Sequence, residues 1–243
     1  MKTLIFGASA GVGRALARRL AARGDNLVLV ARNSRDLEAE AAHLRTTFGI
    51  AVNWLTMDAS SPHAVEQALR PLAELGGIRN LLFPVGMAND VDDGLIPTDK
   101  SAAIVNANLT SVIGAVALFL PGLLQADRGN IVGFGSVAAI RGRGSNVVYA
   151  AAKRGLESYF ESVRHRTAKT GIRVQFYRLG YVDTQLSYGR KIPFPIATPE
   201  KVADHVVRNL DRDIGQVQYP AFWAGIAVLL RALPWIVYRR LQF

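Results

Sequence analysis

Tyr149 and Lys153 lie in the stretch SNVVYAAAKRGLE, Ser145 to Glu157, four residues apart. In a helix that spacing puts both side chains on one face. A phenol with a pKa of about 10 is a poor proton-transfer group near neutrality unless a cation stabilises its phenolate. A lysine ammonium is such a cation, and lowering a tyrosine pKa by roughly three units takes about 4 kcal/mol, within reach of a close charge in a dry site. Ser136 follows the apolar run NIVGF, at the carboxyl end of an expected strand, where a hydroxyl can hold a substrate oxygen. Asn108 falls in an earlier expected helix. Taken singly, each of these polar residues reads more readily as a cap or a surface group than as a catalyst.

A second group of residues suits a nucleotide. The first strand runs into Gly7-Ala8-Ser9-Ala10-Gly11-Val12-Gly13 and then into a helix expected to begin near Arg14. Glycines let a backbone turn sharply and approach a pyrophosphate, whose charge is favoured at a helix N-terminus. The G-x-x-x-G-x-G spacing is looser than the usual dinucleotide fingerprint, and a purely structural turn is the alternative. The same residues match G-x-S-x-G, the elbow of hydrolases, with Ser9 as nucleophile. Ser9 sits on the first strand, with nothing upstream to build an oxyanion loop, which argues against that reading. After the second strand, where an acidic residue would read a free ribose 2′-hydroxyl, stand Ala31 and Arg32. A guanidinium suits a 2′-phosphate, so NADP(H) is favoured over NAD(H), with a solvated arginine as the alternative. Asp58 is placed to accept from the adenine amino group.

These residues need a scaffold. TLIF, NLVLV, AVNWLT, NLLFPV, NIVGF, IRVQFY and QVQY are short β-rich runs separated by stretches of helical periodicity. Helix starts are legible where Asn33 leads Asp36, Ser61 precedes Pro62, and Thr198 precedes Pro199. The predicted fold class is α/β: a Rossmann-type, doubly wound, seven-stranded parallel sheet with its ligand at the carboxyl ends of the strands, followed by a C-terminal amphipathic helical extension. Residues 1–220 are read as the nucleotide-binding domain and 221–243 as an apolar, basic extension of it. The chain has 243 residues, half of them hydrophobic, which suffices for one substantial core. It has no cysteine, which excludes disulfides, thiol nucleophiles and thiolate metal sites. Its four histidines, at 43, 63, 165 and 205, show no ligand spacing, so no metal is expected. The N-terminus shows no charged leader, apolar run and cleavage site, and a cytoplasmic location is expected. The net charge of +10 favours anionic partners, but the basic residues are dispersed over helices, which argues against nucleic acid.

Taken in order, Gly7, Gly11, Gly13, Asp58, Asn108, Ser136, Tyr149, Lys153 and the segment LGYVDT at 179–184 resemble the short-chain dehydrogenase/reductase family across nearly the whole chain. The resemblance implies that Tyr149 is the general acid or base. Lys153 lowers its pKa and holds the nicotinamide ribose, Ser136 orients the carbonyl, and Asn108 supports a proton-relay water. It places cofactor contacts on Gly7, Ser9, Ala10, Gly11, Val12, Gly13, Arg32, Asp58, Ala59, Gly86, Tyr149, Lys153, Gly180, Val182 and Thr184, with Thr184 near the carboxamide. A homodimer or homotetramer through the helices of Asn108 and Tyr149 is implied as well. Five positions, in three places, depart from the family pattern. Phe6 replaces the usual threonine, Phe83-Pro84-Val85-Gly86 replaces Asn-Asn-Ala-Gly, and Leu179 replaces the proline before Gly180.

Beyond QVQYP the chain continues as AFWAGIAVLLRALPWIVYRRLQF, and no acidic residue occurs after Asp213. Arg231 and Pro234 interrupt the apolar run, so neither half reaches the roughly 20 residues that span a bilayer. Short apolar helices with arginines and tryptophans are expected to lie peripherally on acidic lipid, with a dimer contact or a lid as alternatives. RGRGSNVVYAAAKRGLESY and LRALPWIVYRRL resemble the reductases of decaprenylphosphoryl-β-D-ribose 2′-epimerase systems. That likeness implies a polyprenyl-phosphate-linked keto-sugar as substrate, a flavin-dependent oxidase as partner, and Arg141 and Arg143 as contacts for the lipid phosphate. The alternatives are a reductase of another lipid-like ketone and a non-catalytic nucleotide sensor or scaffold.

Overall fold

The computed structural model describes residues 1–89, 91–189 and 192–241. Gln242 and Phe243, the end of the expected extension, lie outside the described residues. Seven strands form one parallel sheet in the order β3-β2-β1-β4-β5-β6-β7: β1 (Lys2–Phe6), β2 (Asn26–Ala31), β3 (Val52–Thr56), β4 (Ile78–Phe83), β5 (Gly129–Ser136), β6 (Ile172–Leu179) and β7 (Gln216–Tyr219). All seven coincide with the β-rich runs of the sequence. Helices α1 (Gly11–Ala22), α2 (Ser34–Phe48) and α7 (Pro199–Asn209) cover one face. The other is covered by α3 (Pro62–Glu74), α5 (Ser111–Ala126) and α6 (Val147–Arg166), with α4 (Thr98–Val105) packed beside α6. The two-residue period of a strand divides β1 between the faces: Ile5 packs with Leu16 and Leu20, while Leu4 and Phe6 pack with Val112 and Phe83. With both faces covered, Leu4–Phe6 of β1, Leu27–Ala31 of β2 and Leu81–Phe83 of β4 are continuous apolar runs.

The caps form as their residue types dictate. Asn33 accepts from the Asp36 amide, Ser61 from Ala64 and Thr198 from Lys201, each at 3.3 Å. The span Thr98–Ala126 is long and apolar enough by length and composition to cross a bilayer. Here it packs within the domain, with Val112, Ala115 and Val116 fully buried against the sheet.

Strand order reverses between β1 and β4, opening a crevice at their carboxyl ends. The extension folds as α8 (Trp223–Ala232) and a single turn, α9 (Trp235–Tyr238), beyond β7.

Candidate active site

Helix α6 carries Tyr149 in its first turn and Lys153 one turn later. Its own N-cap, Asn146, has left-handed backbone and makes no side-chain cap bond. The cap comes from Asp92, a buried residue of the loop after β4, whose carboxylate accepts from the amides of Val148 at 3.1 Å and Tyr149 at 2.9 Å. A carboxylate at a helix N-terminus is stabilised by free amides and by the helix dipole. Asp92 thus holds the backbone of Tyr149 itself. Its sequence context gives no sign of this, because the amides it caps are 56 and 57 residues away.

Lys153 is buried, and its ammonium donates to the carbonyls of Val85 and Phe134, both at 3.1 Å. These carbonyls follow β4 and lie in β5, so the lysine ties α6 to the switch-point crevice. Its nitrogen lies 6.0 Å from the centroid of the Tyr149 ring. Burial pushes the Lys153 pKa down from 10.5 to about 7. Ser136 is the last residue of β5, and its hydroxyl accepts from the Ala138 amide at 3.1 Å, starting the short turn Val137–Ala139.

The expected helix around Asn108 contains a π turn, Asn106–Thr110, between α4 and α5. The Asn108 amide donates to the carbonyls of Met87 at 2.7 Å and Ile104 at 2.8 Å, and its oxygen accepts from Met87 N at 3.3 Å. It therefore fixes the segment after β4. A Cβ at Gly86 would lie 3.6 Å from the Asn108 oxygen and 3.8 Å from Lys153 Nζ, so these three residues meet at one point.

The turn between β1 and α1 fits a dinucleotide. Gly7 has φ +105°, and a Cβ there would stand 2.8 Å from Val85 Cα. Gly11 has φ +48° and faces Thr184, while a Cβ on Gly13 would collide with the Gly7 carbonyl. Helix α1 has no side-chain cap and no acid in its first turn, which leaves its N-terminal amides for an anion, with Ser9, Ala10 and Val12 in the surrounding turn. The Arg14 guanidinium donates to the Ser9 carbonyl. Val182 is buried and bridges Ala197, setting Thr184 beside the turn.

An open pocket of about 340 Å³ beyond β2 and β3 is lined by Arg32, Asp58 and Gln67 among others, with Arg32 exposed. Burial pushes the Asp58 pKa up, but bonds from Ser60, at 2.7 Å from its hydroxyl and 3.0 Å from its amide, and the Arg32 charge outweigh it, so the net direction is down. Ala59 packs behind it against the core.

The expected phosphate contacts are placed differently from one another. Arg141 does not face open solvent: it donates to the Leu230 and Leu233 carbonyls at the end of α8, at 2.7 and 2.6 Å, and lies 3.9 Å above the Tyr238 ring. Both bonds come from one nitrogen, Nη1, which supplies donors that the end of the helix lacks. Arg143 donates to the Ser145 carbonyl at 3.2 Å within its own loop. Trp223 of α8 covers Gly180, where any Cβ would collide with the indole nitrogen.

A family model described as short chain dehydrogenase matches residues 2–191. An uncharacterized oxidoreductase of Mycobacterium tuberculosis is 34% identical over 240 residues, covering 98% of this chain and 96% of its own. The 3-oxoacyl-[acyl-carrier-protein] reductase of Escherichia coli is 29% identical over 185 residues, covering 76% and 74%. Among solved structures, a short-chain dehydrogenase from Sphingobium yanoikuyae in complex with NADPH superposes with a TM-score of 0.84 at 26% identity, covering 96% of each chain.

Proposed function

The chain belongs to the short-chain dehydrogenase family and is an NAD(P)-dependent oxidoreductase, and we propose that it uses NADPH to reduce a ketone on a lipid-like carrier. The substrate form we put forward is a keto-sugar linked to a polyprenyl phosphate, made by a flavin-dependent oxidase and reduced here as the second half of a 2′-epimerisation. The observation that carries the reductase chemistry is the buried Lys153, bonded to the carbonyls of Val85 and Phe134 one turn from Tyr149. A nicotinamide held in the switch-point crevice would supply a hydride. Tyr149 donates the proton to the carbonyl oxygen, so that hydride and proton together convert the ketone to an alcohol. Lys153 favours the phenolate left behind, Ser136 donates a hydrogen bond to the same oxygen, and Asn108 holds the Met87 segment that borders them. Arg32 is assigned to the 2′-phosphate because it is exposed and lines the pocket that also holds Asp58.

The lipid-like substrate is supported by the apolar extension beside Gly180 and by its exposed Val228, Leu229, Trp235, Ile236 and Val237, flanked by the exposed Arg239 and Arg240. The same surface is assigned a peripheral contact with acidic lipid on the cytoplasmic side of a membrane. Assembly as a homodimer or homotetramer through α4–α5 and α6 is part of this proposal. Leu118, Phe119 and Leu120 of α5 are only partly buried, which leaves apolar helix surface for a second copy.

The test supplies the protein with NADPH and polyprenyl-phosphate keto-sugar generated by a partner oxidase, and identifies the product. Tyr149→Phe should retain NADPH binding and lose about 10²- to 10⁴-fold in turnover. Near-normal turnover by that variant refutes the assigned chemistry, and reduction of water-soluble ketones alone refutes the substrate. Sedimentation with acidic but not neutral vesicles, weakened by salt, is expected of the membrane contact; equal sedimentation with both refutes it.

A further inference from the structure

The family match ends at residue 191, yet residues 221–241 are fastened to both loops that border the site. On one side Trp223 sits over Gly180 and packs with Tyr181 and Phe194, with ring centroids 5.9 and 4.9 Å away. Those residues belong to the loop that carries Val182 and Thr184. On the other side Arg141 and Gly142 belong to the loop between Ser136 and Tyr149. Arg141 binds the Leu230 and Leu233 carbonyls and stacks on Tyr238, whose hydroxyl donates to the Gly142 carbonyl at 2.7 Å. A third fastening joins Arg231 of α8 to Glu157 of α6 at 3.7 Å.

We infer that Arg141 is a positioning residue that locks the C-terminal helices across the loops following β5 and β6, making them a wall of the substrate entrance that selects ketones on long apolar chains. The selectivity rests on the ketoreductase reading above, whereas the lock itself does not. A planar guanidinium can bind two carbonyls while its face lies on a ring; an ammonium, on a shorter side chain, has no face to stack and holds its donors less rigidly. The last carbonyls of α8 have no intrahelical partners, and a cation there also meets the negative end of the helix. The wall is apolar where it meets the loop after β6, because the exposed rings of Phe194 and Phe222 flank the buried Trp223.

The experiment compares wild type with Arg141→Ala, Arg141→Lys and Tyr238→Phe. Amide hydrogen exchange in α8 and α9 should accelerate about tenfold or more in Arg141→Ala, with the sheet unchanged. Arg141→Lys should not restore protection, and Tyr238→Phe, which keeps the ring under the guanidinium, should retain most of it. Steady-state kinetics with ethyl acetoacetate and with a 3-oxopalmitoyl ester in detergent should show kcat/KM for the long ketone falling about tenfold further than for the short one, through KM. Unchanged exchange in α8 and α9 overturns the lock, and equal losses for the two ketones overturn the selectivity. If wild type reduces neither ketone, the ketoreductase reading and the selectivity fall together, and exchange alone decides the lock. Should Arg141→Ala not fold, Arg141→Met keeps most of the apolar stem, removes the donors to the Leu230 and Leu233 carbonyls, and is read in the same way.

Discussion

Replacing Lys153 by methionine keeps the length of the side chain and removes its charge. Burial lowers the lysine pKa from 10.5 to about 7, so the folded chain holds that proton less tightly than the unfolded chain. At roughly 1.4 kcal/mol for each pH unit, the difference amounts to about 5 kcal/mol. Below about pH 7 both states carry the proton and the folded state bears the whole cost. Between about 7 and 10.5 the unfolded chain binds more protons, so stability rises with pH, and above 10.5 the cost is gone. Methionine also loses the bonds to the Val85 and Phe134 carbonyls, at about 1–3 kcal/mol for each buried group left unpaired. That loss is the same at every pH. The sign of the stability change at a single pH therefore decides nothing, and the slope does. In denaturant titrations from about pH 7 to about pH 10, the stability of wild type minus that of Lys153→Met should climb by several kcal/mol. Parallel curves would show that Lys153 keeps an ordinary ammonium in the folded chain, and would refute a burial-shifted lysine beside Tyr149.

Asp92→Ala removes the acceptor for the Val148 and Tyr149 amides and should cost about 1–2 kcal/mol of stability, as a lost cap does. Turnover should fall while the dissociation constant for NADPH, read by fluorescence titration, stays put; a change confined to NADPH affinity contradicts the positioning role. Arg32→Ala should weaken NADPH by about 10-fold or more, the worth of a charge-assisted bond, and leave NADH unaffected; equal losses for both cofactors reject Arg32 as the phosphate contact. Gly180→Ala puts a Cβ against the Trp223 indole and should free the C-terminal helices at a cost of about 1–3 kcal/mol. Limited proteolysis after residue 220 should then outpace cleavage of wild type, and equal rates would show that Trp223 yields without releasing α8.

Local chemistry was legible in the residues. Strand alternation, the caps at Asn33, Ser61 and Thr198, the glycine turn before α1 and the single turn between Tyr149 and Lys153 each involve groups a few positions apart. Backbone hydrogen bonding and side-chain periodicity decide such features wherever the segment finally packs. The relations across the chain were decided only when the sheet assembled. Asn108 reads as one more helical residue, but packing opens a π turn that lets it hold Met87, 21 positions away. Lys153 reads as a cation beside a phenol, but its environment is set by carbonyls 19 and 68 positions distant. Arg141 reads as one more loop arginine, and its bonds to the carbonyls at the end of α8, 89 and 92 positions away, form only in the folded chain. A lone polar residue carries no mark of the distant backbone group it will satisfy. Burying that group without a partner is costly, so the partner is fixed by which segments the sheet order brings together.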